Sequence, residues 1–239
     1  MNVRSLLKNY IRRVIKEASS PGDYSSLAAH VARSATGAAA FIYDPEVIKG
    51  IDPALSRDDL EMAVSPGLRG LMKVAAPKAR MGNCNGAWEV TGSWAKNKGS
   101  DGRMVYGIGF AMSPSGILMP DRTSVSASAR GGWSGLASKG FPSEPLDDKE
   151  HEKCGAGGLN THTPADSSDD CWVHGNPEQP HVDRTYEHPG RDAWVTTLAA
   201  MESNHEAVMK LLASNDNELR KRLEQVLRAR LLDEFIATL

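Results

Sequence analysis

The side chains in this sequence that could hold a metal gather late in the chain. Cys154, His162, Cys171, His174 and His181 fall in one stretch, and zinc accepts any four such thiolate and imidazole donors. Only Cys171 and His174, with Trp172 and Val173 between them, have the close separation that orients two donors together. The spacing matches no recognised finger, so scattered surface histidines are the simpler reading and no metal ligand is assigned. The acidic pairs Asp147-Asp148 and Asp169-Asp170 suggest a hard cation, yet loop carboxylates are usually solvated or cap nearby backbone N–H groups. No serine sits in a G-x-S-x-G elbow, which argues against Ser-His-Asp hydrolysis. The remaining chemical candidate is the loop KNKGSDG at 96–102. Its glycines serve either a plain turn or a surface of exposed N–H groups for a phosphate.

These residues need a scaffold. With 40% hydrophobic and 24% charged residues among 239, the composition is that of a soluble globular protein, and 22 glycines and 13 prolines predict many turns. The length suits one or two domains; the expected organisation is an N-terminal helix over 1–22, a core over 23–140, an irregular wrapping segment over 141–190 and a helical hairpin over 191–239. A net charge of -2 gives no overall attraction to a nucleic-acid backbone, so no nucleic-acid partner is expected. Three cysteines, Cys84, Cys154 and Cys171, without a CxxC pair suit a reducing compartment. No apolar run approaches the ~20 residues that span a bilayer, and the first residues lack the continuous apolar stretch of a secretory signal. The expected location is the cytoplasm of whatever cell makes the protein.

Along the chain, Leu6, Leu7, Tyr10, Ile11, Val14 and Ile15 recur at helical spacing among Arg4, Lys8, Arg12, Arg13 and Lys16. They predict a basic amphipathic helix ending at Pro21-Gly22; its apolar stripe docks on the core or on another subunit, the alternatives being a membrane surface or a nucleic acid. Leu27, Ala28, Val31 and Ala35 predict a second helix ended by Gly37, and AAAFIYD a strand. Asp44-Pro45, Asp52-Pro53 and Ser65-Pro66-Gly67 punctuate a connecting region, with a short helix from Asp58 to Ala63. GLRGLMKVAA and GAWEVTGSWA read as strands; in the second, Trp88, Val90 and Trp94 alternate with Ala87, Glu89 and Thr91, placing apolar residues on a buried face and a carboxylate on the other. RMVYGIGFAM reads as a helix, although Gly107 and Gly109 leave a strand open. Ser126 is placed to cap a helix carrying Ala129 and Trp133. At the end, Trp194, Leu198, Met201, Val208, Leu211 and Leu212 mark one helix. A break at Ser214-Asn215-Asp216 precedes a second, with Leu219, Leu223, Val226, Leu227, Leu231 and Phe235 on its apolar face.

Five segments together, CNGAWEV at 84–90, GRMVYGIGFAMSPSG at 102–116, MPDRTSVS at 119–126, PLDD at 145–148 and DDC at 169–171, resemble in order and spacing a family of phage-encoded GNAT-like proteins. The resemblance spans roughly 67–171, and MPDRTSVS and DDC are its most specific parts. It implies an α+β fold with a small mixed sheet flanked by helices, and acyl-CoA, such as acetyl-CoA, beside a strand-to-helix turn. In such a site, backbone N–H groups at a helix N-terminus stabilise the cofactor's pyrophosphate; here that role falls to Lys98, Gly99, Ser100, Gly102 and Arg103. The usual signature, Gln or Arg followed by x-x-Gly-x-Gly or Ala, is not cleanly present in KNKGSDGRMVYGIG.

The implied chemistry is acyl transfer to an amine, which needs a base to keep the amine neutral and a donor for the leaving thiolate. Glu89 is the candidate base and Tyr106 the candidate acid; the plainer readings are a strand-surface residue or a salt-bridge partner for the first and a core tyrosine for the second. Asp121 and Arg122 could form an ion pair beside Ser124. The rival expectation, from the same resemblance, is a non-catalytic building block of a phage particle, in the host cytoplasm or the virion. Such a block self-associates or binds other virion proteins through its terminal helices.

Overall fold

The computed structural model describes residues 24–52, 54–77, 86–121, 125–145 and 184–236. The predicted N-terminal amphipathic helix, all three cysteines, Arg122 to Ser124 and the Cys/His-bearing stretch lie outside the described residues. The fold is mixed α and β. Its strands are β1 (Ala28–Arg33), β2 (Gly37–Tyr43), β3 (Leu68–Ala75), β4 (Trp88–Ala95), β5 (Ile117–Pro120), β6 (Ser143–Pro145) and β7 (Arg184–Glu187). Its helices are α1 (Pro45–Lys49), α2 (Arg57–Val64), α3 (Ser100–Met112), α4 (Ala127–Ser138), α5 (Arg191–Asn215) and α6 (Asn217–Ile236). The strands form one seven-stranded sheet in the order β1-β2-β3-β4-β5-β7-β6. Pairs β1–β2, β5–β7 and β6–β7 are antiparallel. β4 and β5 are parallel, in the register Trp88↔Leu118, Glu89↔Met119 and Val90↔Pro120. A parallel pair needs a crossover, which α3 supplies.

Local chemistry explains most of the boundaries. The Asp44 carboxylate accepts from the Glu46 N–H at 3.0 Å and Pro45 opens α1. Ser56 both accepts from the Asp59 N–H (3.2 Å) and donates to its carboxylate (2.6 Å), a reciprocal cap on α2. Ser126 accepts from the Ala129 N–H at 3.2 Å, as its position predicted, and Asp216 accepts from Glu218 and Leu219 N–H groups, both at 2.9 Å, starting α6.

The segment predicted as a second helix is instead β1. Its apolar spacing fits a helix, but Ala28 to Arg33 pair residue by residue with Tyr43 to Ala38, and the Ser34 N–H closes the turn onto the Gly37 carbonyl at 2.8 Å. Ladder pairing with the continuously buried β2 outweighs helix propensity, which is a weak preference of tenths of a kcal/mol per residue. RMVYGIGFAM is helical, as α3. Its close approach to β3 is set by Gly70, where a Cβ would come within 2.3 Å of the Val105 side chain. The segment expected to be irregular holds β6 and β7 at its ends. One further expectation is corrected: Trp94 is 46% exposed rather than on a buried face.

The chain divides into two compact units, with the division passing through β3, β4, α3 and α5. The first holds Val74–Thr91 and Gly109–Trp194, the second Pro21–Lys73, Gly92–Ile108 and Val195–Leu239. In the first, Trp133 lies against Tyr186 with ring centroids 5.4 Å apart. His188 there is ringed by Phe110, Phe141 and Trp194. Arg191 donates to the carbonyls of Phe110, Ser113 and Pro114, satisfying the end of α3. In the second, Phe41, Tyr43, Ile48 and Leu60 form one core with Val208, Leu212, Leu223 and Leu227. Among the described residues no helix is long and apolar enough to cross a membrane.

Candidate functional site

The turn from β4 into α3 carries five of the predicted site residues, and its shape follows from one buried carboxylate. Asp101, in the first turn of α3, is fully buried and receives Arg69 of β3 at two points, Nη2 at 2.8 Å and Nε at 3.3 Å. The same carboxylate accepts from the Asn97 N–H (3.1 Å) and side-chain amide (2.9 Å). Burial alone would raise the Asp101 pKa; the bonds and charge of Arg69, with the donors of Asn97, outweigh it and hold the carboxyl below its ordinary value. Tyr24 donates to the Ser100 carbonyl at 2.9 Å, and Lys96 Nζ to the Pro66 carbonyl at 2.6 Å. The turn is thus anchored on both sides.

Main-chain bonding then sorts the amides. Lys96 N–H donates to Arg69, Gly102 N–H to the Asn97 carbonyl and Arg103 N–H to the Gly99 carbonyl. Among the described residues no acceptor faces the N–H groups of Lys98, Gly99, Ser100 and Asp101. Lys98, Gly99 and Ser100 are exposed, and a Cβ built at Gly99 or Gly102 meets nothing within 4 Å. Of the predicted cradle, the amides of Lys98, Gly99 and Ser100 therefore have no acceptor among the described residues, whereas those of Gly102 and Arg103 are spent within the helix start.

Tyr106 lies on the next turn of α3. Burial pushes its hydroxyl's pKa up, with a Ser93 hydrogen bond acting the other way. Glu89 sits in the parallel β4–β5 pair, in register with Met119, and is only 5% exposed. Of its two plainer readings, a solvent-facing strand residue or a salt-bridge partner, the burial corrects the first. Glu89 belongs to the first unit, and the turn and Tyr106 to the second. Asp121 is a described residue, but Arg122 and Ser124 lie outside the described residues.

A second polar cluster in the second unit went unforeseen. The Tyr43 hydroxyl is 2.7 Å from His205 Nδ1, and His205 Nε2 is 3.1 Å from His30 Nδ1. Beside it a cleft of about 380 Å³ is lined by His205, Glu206, Met209, Lys210, Arg220 and Glu224. The partners lie 162 and 175 residues apart in sequence, beyond any local pattern. The only local signal is that Glu202 and His205, one turn apart on α5, fall on one helix face. Comparison with protein-family models, curated proteins and solved structures finds no match to this chain.

Proposed function

We propose that this chain is a GNAT-like, acyl-CoA-dependent N-acyltransferase acting on an amine, with the β4–α3 turn as its cofactor cradle. The observation that carries this reading is the set of amides without an acceptor among the described residues at the exposed Lys98, Gly99 and Ser100, at the start of the helix that follows β4 and leads into the parallel strand β5. A strand, a glycine-bearing turn and a helix N-terminus in this order make a ready anion site, because unspent N–H groups and the helix dipole act together. Open space at Gly99 and Gly102 fits the approach of a pyrophosphate, and Lys98 and Arg103 add positive charge.

Acetyl-CoA, when bound, supplies the acyl group as an activated thioester. Lys98, Gly99 and Ser100 hold and orient it. Tyr106, kept protonated by its burial, has the proton that a departing thiolate requires. The proton that the amine loses, as its nitrogen bonds to the acyl carbon and the C–S bond breaks, passes to a carboxylate or a water relay.

One feature favours the architectural alternative, a non-catalytic building block. Asp101 already supplies an anion to the first turn of α3, with Arg69 as its counter-ion. A thermal shift separates the two readings. Acetyl-CoA in excess raises the melting temperature if it binds the native chain, and Lys98→Glu with Gly99→Glu abolishes the rise. No rise at millimolar acetyl-CoA, with self-association seen by mass photometry, would replace the enzyme by the building block.

A further inference from the structure

Three elements of the second unit meet through a chain of polar atoms: β2 gives Tyr43, α5 gives His205 and β1 gives His30. The two imidazole rings lie 4.8 Å apart, centroid to centroid. Tyr43 is fully buried, so its hydroxyl must find a partner inside the protein. With both rings neutral the bonding is self-consistent: Tyr43 O–H donates to His205 Nδ1, and His205 Nε2–H donates to the lone pair of His30 Nδ1.

We propose that the Tyr43–His205–His30 chain is a proton-sensitive latch, which holds α5 on the β1–β2 hairpin while the imidazoles are neutral and loosens it when they take up protons. A first proton creates no clash between donors, since His205 then gives one N–H to Tyr43 and the other to His30. It does place a charge in a half-buried site and takes from the Tyr43 O–H its acceptor. A second proton sets N–H against N–H across 3.1 Å, and a ring flip that turns a C–H inward gives up the hydrogen bond between the two rings.

The surrounding charges do not remove this cost. On α5, Glu202 faces the chain but is held by both guanidinium nitrogens of Arg33 from β1. From α6, Glu224 is bonded to Arg220 at 3.0 Å. Glu206 and Lys210 of α5 complete the cleft with opposite charges. Burial and the neighbouring His30 hold His205 down to about 4, against the weaker pull of Glu224 and Glu202. His205 also lines the cleft, so the proton has a route in without unfolding of the core.

Metal binding is the rival use for two nitrogens this close. Among the described residues no group of three or more His, Cys, Asp or Glu side chains could hold an ion, which favours the latch. The latch stands independently of the acyl-transfer reading, since neither Tyr43 nor either histidine belongs to the β4–α3 turn.

Hydrogen exchange on the full chain, corrected for the intrinsic pH dependence of amide exchange, tests it. Peptides covering 28–43 and 199–212 are expected to open on the order of tenfold more readily at pH 5 than at pH 7.5. In His205→Gln and His30→Gln, which keep polar side chains but cannot titrate, that ratio falls to within about twofold, as expected for loss of the linkage. A pH-independent wild type, or a His205→Gln chain that keeps the full ratio, overturns the latch. Should the variants fail to fold, imidazole NMR of the wild type decides: His205 must titrate below the ordinary range, and a titration near 6.5 overturns the proposal. Zinc added at pH 7.5 is expected to leave both rings unchanged; stoichiometric shifts of both would make the pair a chelate instead.

Discussion

His188 is buried and His205 half-buried, and burial lowers the pKa of both imidazoles, yet the two units use them differently. In the first unit, the Gly190 N–H points at His188 Nδ1 from 2.9 Å and Trp194 Nε1–H at its Nε2 from 3.0 Å. Both donors come from within six residues of the ring, and Phe110, Phe141 and Trp194 meet it with their edges or faces. A neutral imidazole offers one lone pair, so it satisfies one of these donors, and a protonated one satisfies neither. In the second unit, His205 joins elements far apart in sequence and touches a cleft with charged walls. The difference is one of access and reach. His188 is a plug wired locally into the start of α5, whereas His205 ties a helix to a hairpin and can be reached by solvent.

The sharpest break of this comparison is on the plug. Trp194 is fully buried, and Trp194→Ala removes both a large ring and a donor to His188, so a loss of about 3–5 kcal/mol is expected in urea denaturation. A loss below about 1 kcal/mol would mean that the aromatic box contributes little packing.

Acid is expected to act on both histidines. Burial holds each at about 4 in the folded chain, below the ordinary 6.5. The unfolded chain therefore binds protons first as the pH falls. The stabilisation is fully present above about 6.5 and is lost as the pH drops from there toward 4. By pH 5 the loss is on the order of 2 kcal/mol for His188 and less for the more solvent-accessible His205. Urea titrations at pH 7.5 and 5 should show it, with His188→Gln and His205→Gln each removing its own share. A slope untouched by either substitution would locate the acid sensitivity elsewhere.

The smallest effect belongs to the charged pair beside the latch. Arg33 is half exposed and Glu202 partly so, so Arg33→Ala should cost under about 1 kcal/mol, and less in high salt. A larger cost, insensitive to salt, would show that Glu202 acts on the histidines rather than on Arg33 alone.

Much of the fold was legible where a signal is periodic or closes over a few residues. AAAFIYD, GLRGLMKVAA and GAWEVTGSWA are β2, β3 and β4, and the late leucine pattern gives α5 and α6. The segment of Leu27, Ala28, Val31 and Ala35 was misread because its spacing suits a helix, and only the partner strand β2 makes it β1. At the candidate site, the loop and its glycines were visible in the sequence. Asp101 as its organiser was not, because its counter-ion Arg69 stands 32 residues earlier. Glu89 was identified as a strand carboxylate, but its burial depends on what covers β4.

The sequence alone determined the punctuation of this protein: the breaks at Asp44-Pro45 and at Ser214 to Asp216, and the cap at Ser126. Such interactions close within about four residues, so composition and order are enough to specify them. Only the tertiary structure decided which polar groups are buried and with whom: Asp101 with Arg69, and His205 with Tyr43 and His30. A buried donor or acceptor needs a partner wherever the fold can bring one, and that choice is made over the whole chain.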